Sequence, residues 1–391
     1  MGSKVSRFNV VDLFCGAGGL SCGLEMAGMR CLLGVDFDKT AMATFKRNHK
    51  HAEVFVGDIS KLSRKKLLEL TKMKKIHLVC GGPPCQGMST VGEGIPDDPR
   101  NFLFLQFVRV VEILKPEYIL MENVTGMLGR KNEHIPRSII SHFKKLGYAI
   151  SVDVLSAHHY GVPQNRRRTI FIGNRLGYEN AFPPIQYDGD AEGTEKARTV
   201  GEALKKLRAP DGRTYNHDIK AASIQDGRDK EIIRHIPEGR GIRYQEDEEE
   251  LLPMELRLGV DWETMDEHRF RQTQYHRLGR KSISPTIMTG RHSYYHPVED
   301  RYLTVREAAA IQSFPNDFVF EGTVSQQWRQ VGNAVPPLLG KALGESIIRM
   351  HAEKKKAVAV TNEIWHVRSH AFDYKNKRIK KFQKTLLDYE R

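Results

Sequence analysis

The 391-residue chain predicts an α/β protein: a mostly parallel sheet covered by helices, with a second, smaller irregular domain. Three observations carry that expectation. Between residues 8 and 175, short apolar, β-branched runs alternate with amphipathic stretches, the rhythm of strands joined by crossover helices. Several of these runs end abruptly in glycine- or proline-rich turns, where open α/β sheets gather their ligands. From about 176 to 289 the rhythm breaks down and Gly, Asp and Pro become frequent.

Taken in order, strands are expected over 10–14, 31–36, 54–57, 76–80, 118–121, 150–155 and 169–173. Phe104, Phe107, Val108, Val111 and Leu114 recur at helical spacing, and Pro116 closes that helix. The acidic run Glu246-Asp247-Glu248-Glu249-Glu250 reads as a solvated face or loop. Residues 303–314 and 338–350 read as helices that return to the first domain, the former opened by a Thr304/Glu307 capping box. The expected division is 1–175 with 300–352, then 176–299, then a basic tail over 353–391. Within that tail Lys375-Asn376-Lys377-Arg378-Ile379-Lys380-Lys381 suits a phosphate-contacting arm or a charged, frayed terminus.

Composition narrows the partners. A net charge of +13 favours a polyanion or is simply a solvated basic surface. No apolar run is long enough to span a bilayer and no signal-peptide core is present, so no membrane partner is expected. The odd count of five cysteines points to reduced thiols in a cytosol. Their spacing matches no zinc pattern, so no metal is expected.

Four stretches carry chemistry. Asp12-Leu13-Phe14-Cys15-Gly16-Ala17-Gly18-Gly19-Leu20 lets backbone N–H groups approach a nucleotide-type ligand. Asp36, ending the second strand, suits ribose hydroxyls, and Asp58, after the third, suits an adenine amino group. Together they fit an adenosyl cofactor without a pyrophosphate. Gly81-Gly82-Pro83-Pro84-Cys85-Gln86 holds the chain extended and delivers a thiol at a strand exit. Glu122, in Met121-Glu122-Asn123-Val124, should sit near Cys85 and donate a proton or hydrogen bond, or be a plain structural ion pair. In Gln164-Asn165-Arg166-Arg167-Arg168, strand alternation would put Arg166 and Arg168 on one face and Arg167 on the other.

These blocks, with Arg306-Glu307 and Gly332-Asn333-Ala334-Val335-Pro336, resemble in order the DNA (cytosine-5) methyltransferases of bacterial or phage restriction–modification type. The resemblance spans residues 10 to 350 and implies a Rossmann-like S-adenosylmethionine-dependent methyltransferase domain and a target-recognition domain. It implies that Cys85 attacks C6 of a cytosine flipped out of the duplex, and that Glu122 hydrogen-bonds the base. Arg166 would hold a phosphate or the base carbonyl, and Arg168 would brace the pocket. Phe14, Gly16, Gly18, Leu20, Asp36, Phe37, Asp58, Ile59, Pro84, Leu103 and Asn333 would line the S-adenosylmethionine site, with S-adenosylhomocysteine the product. Gln86, Ser89, Arg167, Gln272, Tyr275 and Arg277 would contact double-stranded DNA, within a polar, aromatic cluster that also includes Gln274, His276 and Arg280. The segment 86–100 would close over the flipped base. A monomer is implied, cytoplasmic and nucleoid-associated, acting beside a separate cognate endonuclease or alone.

The same residues speak against three rival readings. A transfer-RNA cytosine-5 methyltransferase would carry a Cys-Phe-Thr triplet, which is not found. A catalytically silent DNA-binding protein would have lost Cys85 or Glu122, and both are present. An NAD-dependent oxidoreductase needs Gly-x-Gly-x-x-Gly, and Gly16-Ala17-Gly18-Gly19-Leu20-Ser21 lacks the third glycine.

Overall fold

The computed structural model describes residues 8–84, 99–129, 132, 134–189, 192–264, 269–290 and 294–357. The described chain divides into two units: one through Tyr160, with Arg167–Ile185 and from Val335 onward; the other Gly161–Arg166 with Gln186–Ala334.

In the first unit, strand and helix alternate: β1 (Asn9–Leu13), α1 (Gly19–Met26), β2 (Arg30–Asp36), α2 (Lys39–Asn48), β3 (Glu53–Val56) and α3 (Arg64–Leu70). Then come β4 (Leu78–Gly81), α4 (Pro99–Leu114), β5 (Tyr118–Val124), α5 (His134–Lys145), β6 (Ala149–Ser156) and β7 (Arg167–Asn174). The seven strands form one sheet in the order β3-β2-β1-β4-β5-β7-β6. β1, β2, β3, β4 and β5 run parallel, and β7 is antiparallel to both β5 and β6. Strand order reverses between β1 and β4, which opens a crevice at their carboxyl ends. Each strand expected from the sequence is present within a residue or a few of its expected bounds.

Strands buried on both faces need continuous apolar runs, and Val11, Leu13, Val79, Ile119 and Met121 supply them. Phe104, Phe107, Val110 and Val111 of α4 pack into the same core, as do Ile139 and Phe143 of α5.

The second unit carries short elements: α6 (Val200–Leu204), α7 (Ile219–Ala222), α8 (Arg228–His235), β8 (Ile242–Tyr244), α9 (Gln245–Leu251), β9 (Arg269–Gln274), α10 (Val305–Ile311) and α11 (Val324–Asn333). β8 and β9 pair antiparallel. Ile232, Ile233, Ile242, Leu252, Trp262, Tyr295 and Tyr302 form a core of their own. Residues 300–334, expected with the catalytic domain, group here with the second unit. The acidic run differs from a loop: it is α9, whose Glu246, Asp247 and Glu248 occupy the first turn, where the helix dipole favours carboxylates. Glu248 is buried and accepts from Trp262 Nε1 at 2.8 Å. Finally α12 (Pro337–Glu353) returns to the first unit and packs on α1. The basic run 375–381 lies outside the described residues. Among the described residues no helix is long and apolar enough to cross a membrane, and no group of three or more His, Cys, Asp or Glu is placed to hold a metal.

Candidate active site

β4 and β5 lie side by side in parallel, with Gly81 opposite Met121, so the turn leaving β4 and Glu122 emerge at one edge of the crevice. Glu122 stands against that turn: a Cβ added at Gly82 would come within 3.0 Å of Glu122 Oε2. The next residue, Asn123, donates from Nδ2 to the Pro83 carbonyl at 2.8 Å and pins the turn. Cys85, Gln86 and Ser89, together with most of the segment 86–100, lie outside the described residues. Asn123 was quoted from sequence only as part of a motif; the available signal was a buried amide directly after the strand-end carboxylate.

Arg168 faces Glu122 across the antiparallel pair. In register, Val124 opposes Arg168 and Glu122 opposes Ile170, so Arg168 and Glu122 are diagonal neighbours on one face. Arg168 Nε donates to Glu122 Oε1 at 2.7 Å, with both side chains 14% exposed. The shared face expected for Arg166 and Arg168 does not arise, because β7 begins at Arg167 and Arg166 precedes it. Arg166 is 1% exposed and donates to the carbonyls of Ile287 (3.3 Å) and Gly332 (3.0 Å) within the second unit. A guanidinium so enclosed braces loops, which corrects the expectation that it holds a phosphate or the base carbonyl. Arg167 is exposed, as a DNA contact requires.

The second part of the site is the turn after β1. Phe14 adopts φ 58° and Gly18, the N-cap of α1, φ 90° with no side-chain cap, so the first N–H groups of α1 have no capping side chain. Asp36, at the end of β2, accepts from Gly16 N and from Asp38 N, each at 2.9 Å. Burial raises its pKa, and those N–H groups oppose the shift. Phe37 follows with 75% of its surface exposed, while Leu20 and Ile59 are buried and Leu103 packs partly against the core. Asp58 is exposed and accepts from Ser60 N at 2.9 Å, which holds its carboxyl below the usual range. Pro84 is exposed. Asn333 is the exposed last residue of α11 and belongs to the second unit. The side chains at the ends of β2 and β3 that the sequence singled out are acceptor-only carboxylates beside an exposed ring. That set suits the hydroxyl and amino donors of an adenosine and is ill matched to a pyrophosphate.

The expected base-reading cluster is mostly scaffold. Arg277 is 5% exposed; its guanidinium donates to the carbonyls of Ile233, Ile236, His296 and Glu299 and to Asp300 Oδ1 at 2.6 Å. It has no surface with which to read a base, so that expectation is corrected. Tyr275 stacks on Tyr295 and donates its hydroxyl to Asp229 at 2.6 Å. Arg280 is paired with Glu238, and burial lowers the pKa of His276. Gln272 lies in β9, and Gln274 is exposed.

A doubly wound, mostly parallel sheet with this crevice and acceptor set matches the fold of a Rossmann-like methyltransferase. The chain belongs to the family described as C-5 cytosine-specific DNA methylase, which its residues 8–349 match. Its activity is therefore transfer of a methyl group to C5 of cytosine in DNA. It is 36% identical over 353 residues to Type II methyltransferase M1.HphI of Haemophilus parahaemolyticus, covering 88% of this chain and 87% of that one. It is 34% identical over 379 residues to Type II methyltransferase M.XorII of Xanthomonas oryzae pv. oryzae, covering 88% and 85%. A crystal structure titled as a prophage-encoded DNA modification methyltransferase of E. coli superposes with a TM-score of 0.67 at 24% identity, over 88% of this chain and all (100%) of that one. That likeness bears on the fold.

Proposed function

We propose that this chain is the sequence-specific modification enzyme of a bacterial type II restriction–modification system, using S-adenosylmethionine and a covalent Cys85 adduct on a flipped-out cytosine. The observation that carries it is the Glu122–Arg168 pair set against Gly82, three residues before Cys85. Phe14, Gly16, Gly18 and Asp36 would hold and orient S-adenosylmethionine at the turn after β1, with Phe37, Asp58 and Ile59 lining the same site; the group would supply an electrophilic methyl, with S-adenosylhomocysteine the product. The Cys85 thiolate adds to C6, and the displaced electron pair makes C5 the nucleophile that takes the methyl group. Glu122 hydrogen-bonds N3 and the exocyclic amine as that charge develops, and Arg168 orients Glu122 and meets the base carbonyl. Loss of the C5 proton to a water molecule then restores the ring double bond and expels the thiolate, regenerating Cys85. Asn123 positions the Pro83-Pro84-Cys85 turn. The first unit does this chemistry, and the second carries target recognition. The chain acts as a cytoplasmic monomer, and its cognate endonuclease acts separately.

The test incubates full-length protein with tritiated S-adenosylmethionine and mixed-sequence duplex DNA, beside Cys85→Ala and Glu122→Gln. Label in DNA that vanishes with Cys85→Ala and drops about 10²-fold or more with Glu122→Gln supports the reading. Label in bulk RNA instead of DNA overturns it, as does full activity of Cys85→Ala.

A further inference from the structure

Behind the turn assigned to the cofactor stands a residue that none of the expected site residues includes. His49 caps the C-terminus of α2 and is 3% exposed. Its ring lies 4.4 Å, centroid to centroid, from that of Phe45. It also sits directly against Gly18: a Cβ there would fall 2.3 Å from His49 Nε2. Glycine is thus required at position 18 for its φ of 90° and again for the room the imidazole takes.

The ring's two nitrogens both meet acceptors. Nε2 is 3.2 Å from the Gly18 carbonyl oxygen, and Nδ1 is 2.8 Å from Glu25 Oε2 on α1. A carbonyl oxygen only accepts, so Nε2 carries hydrogen. An ionised Glu25 also only accepts, so Nδ1 carries hydrogen as well. If the second proton rests on Glu25 instead, Nδ1 accepts from it and the proton count of the pair is unchanged. Either way the two hydrogen bonds hold together only while His49 and Glu25 share one proton more than neutral imidazole plus carboxylate. The same Gly18 carbonyl accepts from Cys22 N at 2.8 Å, the first backbone bond of α1, so His49 fixes both the turn and the helix entry.

We propose that His49 is a positioning residue for the methyltransferase: with Glu25 and their shared proton, it holds the Gly18 carbonyl so that the turn 14–19 keeps the shape that receives S-adenosylmethionine. This rests on the reading that the turn binds the cofactor. Removing the shared proton sets the Nδ1 lone pair against the Glu25 carboxylate, or leaves Nε2 without the hydrogen it donates to the Gly18 carbonyl. Cofactor affinity therefore falls toward alkaline pH. The groups around His49 are Glu25 from α1 and Asp12 from β1, whose carboxyl burial pushes up to about 6. Cys15 and Cys31, beside Phe45, have thiols that burial pushes up, so they stay neutral. Lys46, Arg47 and Lys50 flank His49 in the chain.

The experiment measures KM for S-adenosylmethionine, KM for DNA and kcat between about pH 6 and 9 on full-length protein. His49→Phe keeps the ring's shape and deletes both hydrogen bonds. It should raise KM for S-adenosylmethionine about tenfold while kcat and KM for DNA stay within about twofold, and flatten the pH profile. Glu25→Gln is the sharper variant: its amide can donate to Nδ1, so neutral His49 satisfies both partners. That variant should keep neutral-pH affinity and lose the alkaline weakening. An unchanged KM in His49→Phe, a fall in melting temperature alone, or identical pH profiles for wild type and Glu25→Gln each overturns the proposal. Asp36→Ala separates the two readings: if it leaves KM for S-adenosylmethionine unchanged, the turn is not the cofactor site, whatever His49 does.

Discussion

Asp12 is 1% exposed, between the fully buried Val11 and Leu13 of β1. Ser21 donates to its Oδ2 at 2.6 Å, yet burial outweighs that bond and lifts the carboxyl from 3.8 to about 6. Because the folded value lies above the unfolded one, the folded protein binds more protons between them. Stability from this group is complete below 3.8 and is lost as pH rises to about 6, then stays level. A shift of that size is worth on the order of 3 kcal/mol at about 1.36 kcal/mol per unit. Asp12→Asn keeps an acceptor for Ser21 and deletes the charge. Its gain in unfolding free energy over wild type should be near zero at pH 4, grow toward pH 6 and flatten above. Denaturant titrations across that range check this; a gain independent of pH would mean Asp12 does not ionise within the fold. At this scale the sequence misled twice, for one reason. Buried arginines such as Arg166 and Arg277 find their acceptors on backbone carbonyls, which have no side-chain signature. In Arg166 those carbonyls lie 121 and 166 residues away. Glu122 and Arg168 each stood out in the sequence one residue beyond the expected strands 118–121 and 169–173, but their pairing did not, because it depends on the antiparallel register of β5 and β7.

Among elements, the least predictable contact joins α1 to α12, separated by most of the chain. The helices approach so closely that a Cβ at Gly23 would lie 2.2 Å from the Pro337 carbonyl oxygen and 2.6 Å from Lys341 N. Both obstacles are backbone, so neither yields by a rotamer change. Pro337 opens α12 where its missing N–H is no loss, and that fixes where the closest approach falls. Gly23→Ala should destabilise the first unit by roughly 1–3 kcal/mol, the range for overpacking a filled interior. Because the N-terminus of α1 adjoins the turn proposed to bind the cofactor, KM for S-adenosylmethionine should rise with it. Chemical denaturation beside cofactor titration checks this, and an unchanged midpoint would show that the helices separate freely. The sequence did expose α12 itself, through its apolar spacing, and expected it to return to the first domain; the glycine seam was silent because glycine carries no pattern. Strands were the clearest elements. Runs such as 118–121 are buried on both faces, so their apolar character is continuous. The acidic run, expected as a solvated face or loop, is a helix whose Glu246, Glu249 and Glu250 are exposed; what its charge concealed is Glu248, buried against Trp262.

For the molecule as a whole, the excess of 61 Lys and Arg over 48 Asp and Glu is the property that acts at a distance. Part of the basic complement is spent internally: Arg166, Arg277, Arg301 and Arg306 are buried among carbonyls and carboxylates. Buried cations still add to the net potential, but only exposed ones release counterions from phosphate. DNA affinity should therefore depend on salt less steeply than the formal charge suggests, and still markedly. A protein that neutralises about four phosphates loses roughly a hundredfold in affinity between about 50 and 200 mM salt. The proposed cofactor site, with its carboxylates and backbone N–H groups, would release no such counterions. KM for DNA should rise by about that factor over that range, while KM for S-adenosylmethionine moves less than about twofold. Arg167→Gln, exposed at the start of β7, should lower the slope of log affinity against log salt by about one if it contacts a phosphate. Arg277→Gln, with its guanidinium committed to carbonyls, should lower the melting temperature and leave the slope alone. An equal change of slope in both variants would contradict the division between surface and scaffold arginines.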